Sequence, residues 1–288
     1  MKQTNSIITI IIILYQESYD QLKNCLKNIN NFKIIIIDND GNKELKKKIE
    51  SEFTIYKYVL NKKNIGFSKA ANQAVAIVDT PYILNFQADC IIENSDIEKF
   101  YQSFQKYKGT MLISPTFYEN NEQTYNGGLL HENKIDQKTL VTEGDICVES
   151  VLGSVIFFKK DYFQKIGGFD ESFFLYFVDF DFCRKILKLQ NSIVQTYDIK
   201  VEHSHGRLKV KNRLKKIYIR NYHFTYDELY YYYKINQHIK IFNNLKKKIL
   251  SYKIKIIVNL LLLRLDKLIY YYARISAFNK FKKLIKKT

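Results

Sequence analysis

Residues 7–14 read IITIIIIL, an unbroken apolar run dominated by β-branched side chains. Such a run has no polar face, so it suits a strand covered on both sides, as in a parallel sheet. Residues 34–37 repeat the pattern as four isoleucines. Between and beyond these runs the period changes. Leu22, Leu26 and Ile29 recur at helical spacing over 19–29, and 44–53 reads as a second helix. Residues 54–60 read as a strand, 68–78 as a helix of small residues and 82–86 as another strand. The alternation predicts a doubly wound α/β sheet that binds ligands at the carboxyl ends of its strands. After Asp96 the rhythm loosens. Residues 112–113, 150–158 and 193–201 suit strands, and 161–166 and 182–189 suit helices.

Charge divides the chain. The net charge is +17, but residues 239–288 hold fourteen Lys/Arg against one acid, Asp266. That segment therefore carries +13, and the remaining 238 residues carry +4. The organisation expected is one domain over 1–238 and a basic helical tail over 239–288. Cys25, Cys90, Cys147 and Cys183 form no Cys-x-x-Cys pair, which argues against a structural zinc site and fits a reducing compartment. The apolar run at 7–14 lacks the charged lead-in and small-residue cleavage site of a secretory signal. No stretch reaches the roughly 20 apolar residues that cross a bilayer. A cytoplasmic location is expected.

Four segments carry candidate chemistry. Asp38-Asn39-Asp40 ends the second strand, where a carboxylate can accept from a base or ribose; Asp-Asn-Asp-Gly is also strong turn chemistry. Asn64-Ile65-Gly66-Phe67, followed by Asn72, opens a helix whose free N–H groups suit a diphosphate or ribose, or marks an ordinary helix N-cap. Gln87-Ala88-Asp89 follows the strand at 82–86. Asp89 there can hold a hard divalent cation or be a solvated loop acid. In Tyr176-Phe177-Val178-Asp179-Phe180-Asp181 two acids stand among bulky apolar residues. Desolvation would make either a better general base, and Asp181 could instead cap the following helix.

In this order and spacing the segments resemble family 2 glycosyltransferases of GT-A fold, in particular the bacterial rhamnosyltransferase-like branch. The resemblance covers roughly residues 6–235 and is carried by IIIILYQESYDQLKNCL, IIIIDNDGN, NKKNIGFSKAANQA, YILNFQADCII and GSVIFFKKDYFQKIGGFDESFFLYFVDFDFC. HSHG at 203–206 and Ile219-Arg220-Asn221-Tyr222 continue it. The resemblance implies a Rossmann-like mixed sheet flanked by helices, with the basic helical tail appended. It implies a nucleotide-sugar donor held by Tyr15, Glu17, Asp38, Asn39, Asn64, Gly66, Phe67, Asn72, Gln87 and Ala88. Asp38 would read the base, and Asp89, the last acid of an Asp-x-Asp motif, would hold Mg²⁺ or Mn²⁺ together with His203. Asp179 would deprotonate the acceptor hydroxyl, with support from Asp181 and Arg220. Gln87 and Val178 depart from the pattern, since acids are frequent at both positions.

The implied activity is inverting transfer to a lipid-linked glycan acceptor in cell-surface polysaccharide synthesis, at the inner face of the cell membrane. Lys253, Lys255, Arg264 and Lys267 interleave with Ile256, Ile257, Leu260, Leu261, Leu263, Leu268 and Ile269. That mixture suits a helix lying on an anionic membrane surface, or one packed on the domain or a partner. The cations at 207–220 suit a loop closing over an anionic donor, or a solvated face. Two other classes compete. A catalytically silent subunit would bind donor without turnover. A basic module for membrane or nucleic acid would bind no nucleotide sugar, and no RNA-binding motif is present to support nucleic acid as a partner.

Overall fold

The structure, a computed structural model, describes residues 4–29, 31–124, 127–128, 130–131, 134–135, 143–203, 213–236 and 244–285. The chain forms two compact units. One comprises Met1–Glu171 and Val178–Leu208, and the other Ser172–Phe177 and Lys209–Thr288.

The first unit opens with alternating strands and helices: β1 (Ile8–Leu14), α1 (Tyr19–Lys27), β2 (Lys33–Asp38), α2 (Lys43–Glu50), β3 (Lys57–Leu60), α3 (Phe67–Ile77) and β4 (Tyr82–Phe86). It continues through β5 (Cys90–Ile92), α4 (Asn94–Lys106), β6 (Thr110–Glu119), β7 (Glu122–Gln123), β8 (Leu130–His131), β9 (Lys134–Ile135) and β10 (Ile146–Val148). It ends with β11 (Val155–Lys159), α5 (Lys160–Lys165), α6 (Val178–Lys188) and β12 (Ser192–His203). The main sheet runs β10-β12-β6-β11-β4-β1-β2-β3. β3, β2, β1 and β4 are parallel, whereas β11 is antiparallel to both β4 and β6, so the sheet is mixed as expected.

The isoleucine runs explain the parallel half. Ile8, Ile10, Ile11 and Ile12 are all fully buried, as are Ile34 to Ile37, because helices cover both faces. Ala70, Ala71 and Ala74 are also fully buried, and their small side chains let α3 lie close to β1 and β2. Phe157 of β11 sits under an aromatic cluster. It stacks on Tyr82 and on Phe100, each at 5.5 Å, and meets Phe104 edge-on at 6.0 Å.

Several boundaries differ from the sequence reading. The strand expected at 112–113 is the ten-residue β6, because Ser114 and Thr116, both buried, find hydrogen-bond partners: Thr116 Oγ1 donates to Thr196 O, and Thr196 Oγ1 to Ser114 O. Helix α4 and strand β5 were not anticipated.

The second unit contains α7 (Arg213–Lys234), α8 (Leu245–Leu261) and α9 (Leu265–Ile285). Leu229, Leu245, Tyr252, Phe278 and Phe281 form its core. Asp227, fully buried, accepts from the N–H groups of Phe174 (3.1 Å), Leu175 (2.9 Å) and Tyr176 (2.9 Å). The unit therefore begins well before residue 239, since α7 supplies Leu229 to a core shared with the tail helices. Among the described residues no helix is long and apolar enough to cross a membrane.

Phe157→Ala should cost about 3–5 kcal/mol, the usual range for removing a buried phenylalanine. Urea denaturation should show a lower midpoint at unchanged slope. A change within 1 kcal/mol would mean that the ring cluster collapses around the gap.

Candidate active site

The carboxyl ends of β1, β2 and β4 bring Glu17, Asp38 and Asp89 into one region, since these strands are adjacent and parallel. Asp38 is buried. Its carboxylate accepts from the N–H groups of Asp40 (2.8 Å), Gly41 (3.1 Å) and Asn42 (3.2 Å) and from the Tyr58 hydroxyl (3.3 Å). The turn chemistry is thus real, and a nucleobase N–H reaching Asp38 has to share or displace one of these donors. Asn39 is buried beside it. Its Nδ2 donates to Gly66 O (3.3 Å), and its Oδ1 accepts from Asn61 (2.9 Å), which ties the end of β2 to the start of α3.

Gly66 stands at φ +86°, a conformation costly for other residues, and it lacks a side chain to cap α3. Asn64 Oδ1 accepts from Gly66 N at 2.9 Å and fixes the bend. The first N–H groups of α3 therefore point out of the helix in the manner of an anion site. The Ser68 hydroxyl is buried there with no hydrogen-bond partner among the described residues. Phe67 packs on Phe169 at 5.6 Å. Asn72 has a bracing role. Its Nδ2 donates to Phe169 O (2.9 Å) and Glu171 Oε1 (3.2 Å), and its Oδ1 accepts from Phe169 N (3.1 Å). The amide is committed to the Gly-Gly-Phe-Asp-Glu turn.

Glu17 is half-buried, and its carboxylate accepts from Tyr15 N. Burial pushes its carboxyl up to about 7, and the nearby Asp89 and Asp38 charges add to the rise, while the backbone N–H groups of Glu17 and Tyr15 oppose it. Gln87 donates its N–H to Ser154 O (3.0 Å), Ala88 is buried, and Asp89 follows. Strand β5 then pairs antiparallel with β12 so that Cys90 faces His203 in the register. This pairing brings His203 Nε2 within 3.4 Å of Asp89 Oδ2. Among the described residues, Asp89, Cys90 and His203 are a group of potential metal ligands, their donor atoms all within 4.8 Å of one another. Burial pushes the Cys90 thiol well above its ordinary value, so it stays neutral and is a poor ligand for a hard cation. A carboxylate with an imidazole suits Mn²⁺ better than a soft metal.

Asp179 lies in the first turn of α6. Its Oδ2 accepts from Gly153 N (3.1 Å) and its Oδ1 from Phe180 N (3.0 Å). A Cβ on Gly153 would lie 3.1 Å from Asp179 Cβ, so the approach depends on glycine. Gly153 O in turn accepts from Asn85 Nδ2 at 2.9 Å, at the end of β4. Burial pushes the Asp179 carboxyl above its ordinary range against the opposing N–H groups. Asp181 is buried three residues into the helix, 3.7 Å from Lys185 Nζ, so its charge serves a pair within α6 rather than a helix cap. Val178 is buried and apolar. Arg220 belongs to the second unit, where it hydrogen-bonds the Tyr176 hydroxyl. Of the basic segment expected to close over the donor, Arg207, Lys209 and Lys211 lie outside the described residues.

Sequence reasoning passed over Ser68, Cys90 and Gly153. Only Cys90 had a signal, its place directly after Asp89.

The signature of "Glycosyl transferase family 2" matches residues 9–167. A dTDP-rhamnosyl transferase, RfbF of Shigella flexneri, is 25% identical over 215 residues, which are 72% of each chain. Two solved structures share the fold at low identity. GalNAc-T7 with UDP, GalNAc and Mn²⁺ gives a TM-score of 0.57 at 13% identity over 76% of this chain and 50% of its own. The mannosyltransferase PcManGT of Pyrobaculum calidifontis, with GDP-Man and Mn²⁺, gives 0.52 at 12% identity over 76% of this chain and 62% of its own. This chain thus spans less than two thirds of either solved neighbour. Both are glycosyltransferases of GT-A fold, and the mixed sheet described above is of that class. Its signature extending over more than half of the residues, the chain belongs to glycosyl transferase family 2.

Proposed function

We propose that the protein is an inverting, metal-dependent glycosyltransferase that moves a sugar from a nucleoside-diphosphate donor to a hydroxyl of a lipid-linked glycan acceptor. The observation that carries the reading is the pairing of Asp89 with His203 at the strand ends, where Gln87 is hydrogen-bonded to Ser154, the residue next to the Gly153 that holds Asp179. The activity of RfbF supports a dTDP-deoxyhexose as the first donor to test, and the Mn²⁺ in both solved neighbours supports a divalent ion.

In this reading the N-terminus of α3 and Asn64 receive the donor's diphosphate or ribose, and Asp38 and Asn39 shape the wall near its base. Asn72 acts as a positioning residue through the 166–171 turn. Asp179 accepts the acceptor's hydroxyl proton as that oxygen bonds to the anomeric carbon. The bond to the nucleoside diphosphate breaks on the opposite face, and the configuration inverts. The raised Asp179 carboxyl makes it a stronger base than an exposed aspartate. A divalent cation held by Asp89 and His203 would offset the charge of the departing diphosphate.

The second unit supports action at a membrane surface. On α8 one stripe faces the core through Leu245, Tyr252 and the polar Asn259, all buried. The opposite stripe, Leu250, Ile254, Ile257, Val258 and Leu261, is exposed and runs at helical spacing. It leads to Leu263, which is 83% exposed. Exposed Lys247, Lys253, Lys255 and Arg264 lie along the same segment. A second copy would set like charges together, whereas an anionic bilayer satisfies both the cations and the leucines. The proposed setting is peripheral, at the inner face of the cell membrane.

Asp179→Asn should lower turnover by about 10²- to 10⁴-fold while donor affinity is retained, because the amide keeps the shape but cannot take the proton. Wild-type turnover on acidification should fall earlier than an ordinary aspartate would dictate, since the base works only when ionised. Retained turnover in the Asn variant would remove Asp179 as the base.

Asp89→Ala should weaken donor binding roughly tenfold or more in Mn²⁺ and abolish its response to the metal. Calorimetry with and without the ion is the measurement, and an unchanged, metal-independent affinity would defeat the metal role.

Leu261→Glu/Leu263→Glu should reduce binding to anionic vesicles by roughly tenfold or more without lowering thermal stability, since both side chains are exposed. Because the chain has no tryptophan, Leu263→Trp gives an unobscured probe whose emission should shift to the blue on adding vesicles. A shift that follows protein concentration without lipid would point to self-association instead.

A further inference from the structure

Within the second unit lies a cavity of 520 Å³ whose lining includes Lys216, Arg220, Asp266, Lys267, Tyr270 and Arg274. Four cations face one acid, and Asp266 is already paired with Arg213. Arg274 is held in place. It donates to the Tyr252 hydroxyl at 3.2 Å, and its guanidinium stacks over Tyr270 at 4.5 Å. Its buried Nε has no hydrogen-bond partner among the described residues, so the donor capacity of the fork remains unfilled. Arg220 is steadied by the Tyr176 hydroxyl. Like charges gathered around one cavity repel one another, and an anion entering it turns that repulsion into attraction.

We propose that this cavity binds a phosphomonoester or diphosphate, presented by a lipid. Guanidinium forks match the oxygens of a phosphate, and the two lysines add point charge. A phosphomonoester carries roughly two negative charges near neutral pH, whereas a phosphodiester carries one and answers fewer of the four cations. Position favours the lipid as the source. Asp266 and Lys267 open α9 directly after Leu263 and Leu265, which are 83% and 55% exposed. At 1.5 Å per residue, Asp266 and Lys267 on the rim lie only about 1.5–3 Å along the axis of α9 from Leu265. If the leucines enter the apolar layer, the cavity mouth stands at head-group depth. The choice of lipid as source rests on the membrane-surface reading above; the anion site itself does not.

The full chain should bind phosphatidylcholine vesicles carrying phosphatidic acid about tenfold more tightly than vesicles carrying phosphatidylglycerol at matched surface charge. Inorganic pyrophosphate at millimolar concentration should erase that preference. Lys216→Ala/Lys267→Ala should lose both the preference and the pyrophosphate binding measured with divalent metal chelated, which keeps the proposed donor site out of the reading. Lys247→Ala/Lys253→Ala, which removes the same charge from the proposed membrane face outside the cavity, should weaken binding to both kinds of vesicle alike and so keep the preference and the pyrophosphate binding. Pyrophosphate binding that depends on Lys216 and Lys267, without any vesicle preference, would uphold the anion site and assign it a soluble ligand. Equal behaviour of the two double variants, or no pyrophosphate binding by the unmodified chain, would overturn the proposal. Thermal midpoints of all three proteins control for folding. Nucleotide-sugar binding by the unmodified chain, measured alongside, tests the transferase reading separately.

Discussion

One peptide unit, that of Gly153, sets the geometry of the proposed centre. Its C=O accepts from Asn85 at the end of β4, and its N–H donates to Asp179 at the start of α6. The next residue, Ser154, accepts from Gln87 N, two positions before Asp89. The acid assigned to the metal and the acid assigned to the acceptor are thus both referred to the main chain of Gly153 and Ser154, through the Gln87 backbone on one side and the Asp179 carboxylate on the other. β11 makes this possible. It runs antiparallel beside β4, with Val155 opposite Phe86, and so delivers the preceding loop to the same end of the sheet. A hydrogen bond of this kind contributes only about 1 kcal/mol to stability. Its weight is in orientation, since a carboxylate displaced by an ångström loses much of its catalytic value.

The parallel half of the fold was legible because its physics is local. Ile8 to Ile12 and Ile34 to Ile37 are buried on both faces, and only strands of that type carry unbroken β-branched runs. Helix α4 was legible too and went unread: Ile97, Phe100 and Phe104 are buried at spacings of three and four. β5 was not legible. Three residues carry no periodicity, and the strand exists because β12 offers an edge to pair with. That pairing sets His203 against Asp89, so the contact itself could not be read from the chain, although each residue could be named. The roles of Asn72 and Asp38 show the converse. Both were nameable, Asp38 at the end of a strand and Asn72 within a helix, yet much of their hydrogen-bonding capacity goes into the turns they stabilise.

The basic tail illustrates a different limit. A sequence average over α8 sums two apolar stripes that the fold separates. Leu245 and Tyr252 enter a core with α7 and α9, while Leu250, Ile254, Ile257 and Leu261 remain outside. Charge density alone suggested an arm lying on a surface. Burial reveals instead a folded unit with its own core, for which the outward stripe and the lysines are a surface property. The exposed leucines then need an explanation that the core does not supply, because apolar residues aligned on one helix face rarely stand in water without a partner.

The three strand-end acids divide their labour by their partners. Asp38 spreads its charge over four donors, and Asp89 stands beside His203. Glu17 yields, and burial with the two neighbouring charges raises its carboxyl to about 7. Because that lies above the value of 4.5 for the free group, the folded chain holds the proton more tightly than the unfolded chain does. The stability this contributes is complete below about pH 4.5 and is lost as pH rises towards 7. Positive charge arriving at Asp89 acts in the opposite sense, since it favours the ionised Glu17. Binding of the proposed cation and proton release from Glu17 would therefore be linked, most strongly where Glu17 is still protonated. The same burial that disfavours three negative charges at these strand ends would strengthen the hold on the proposed divalent ion, and the parallel strands that gather the acids impose both effects at once.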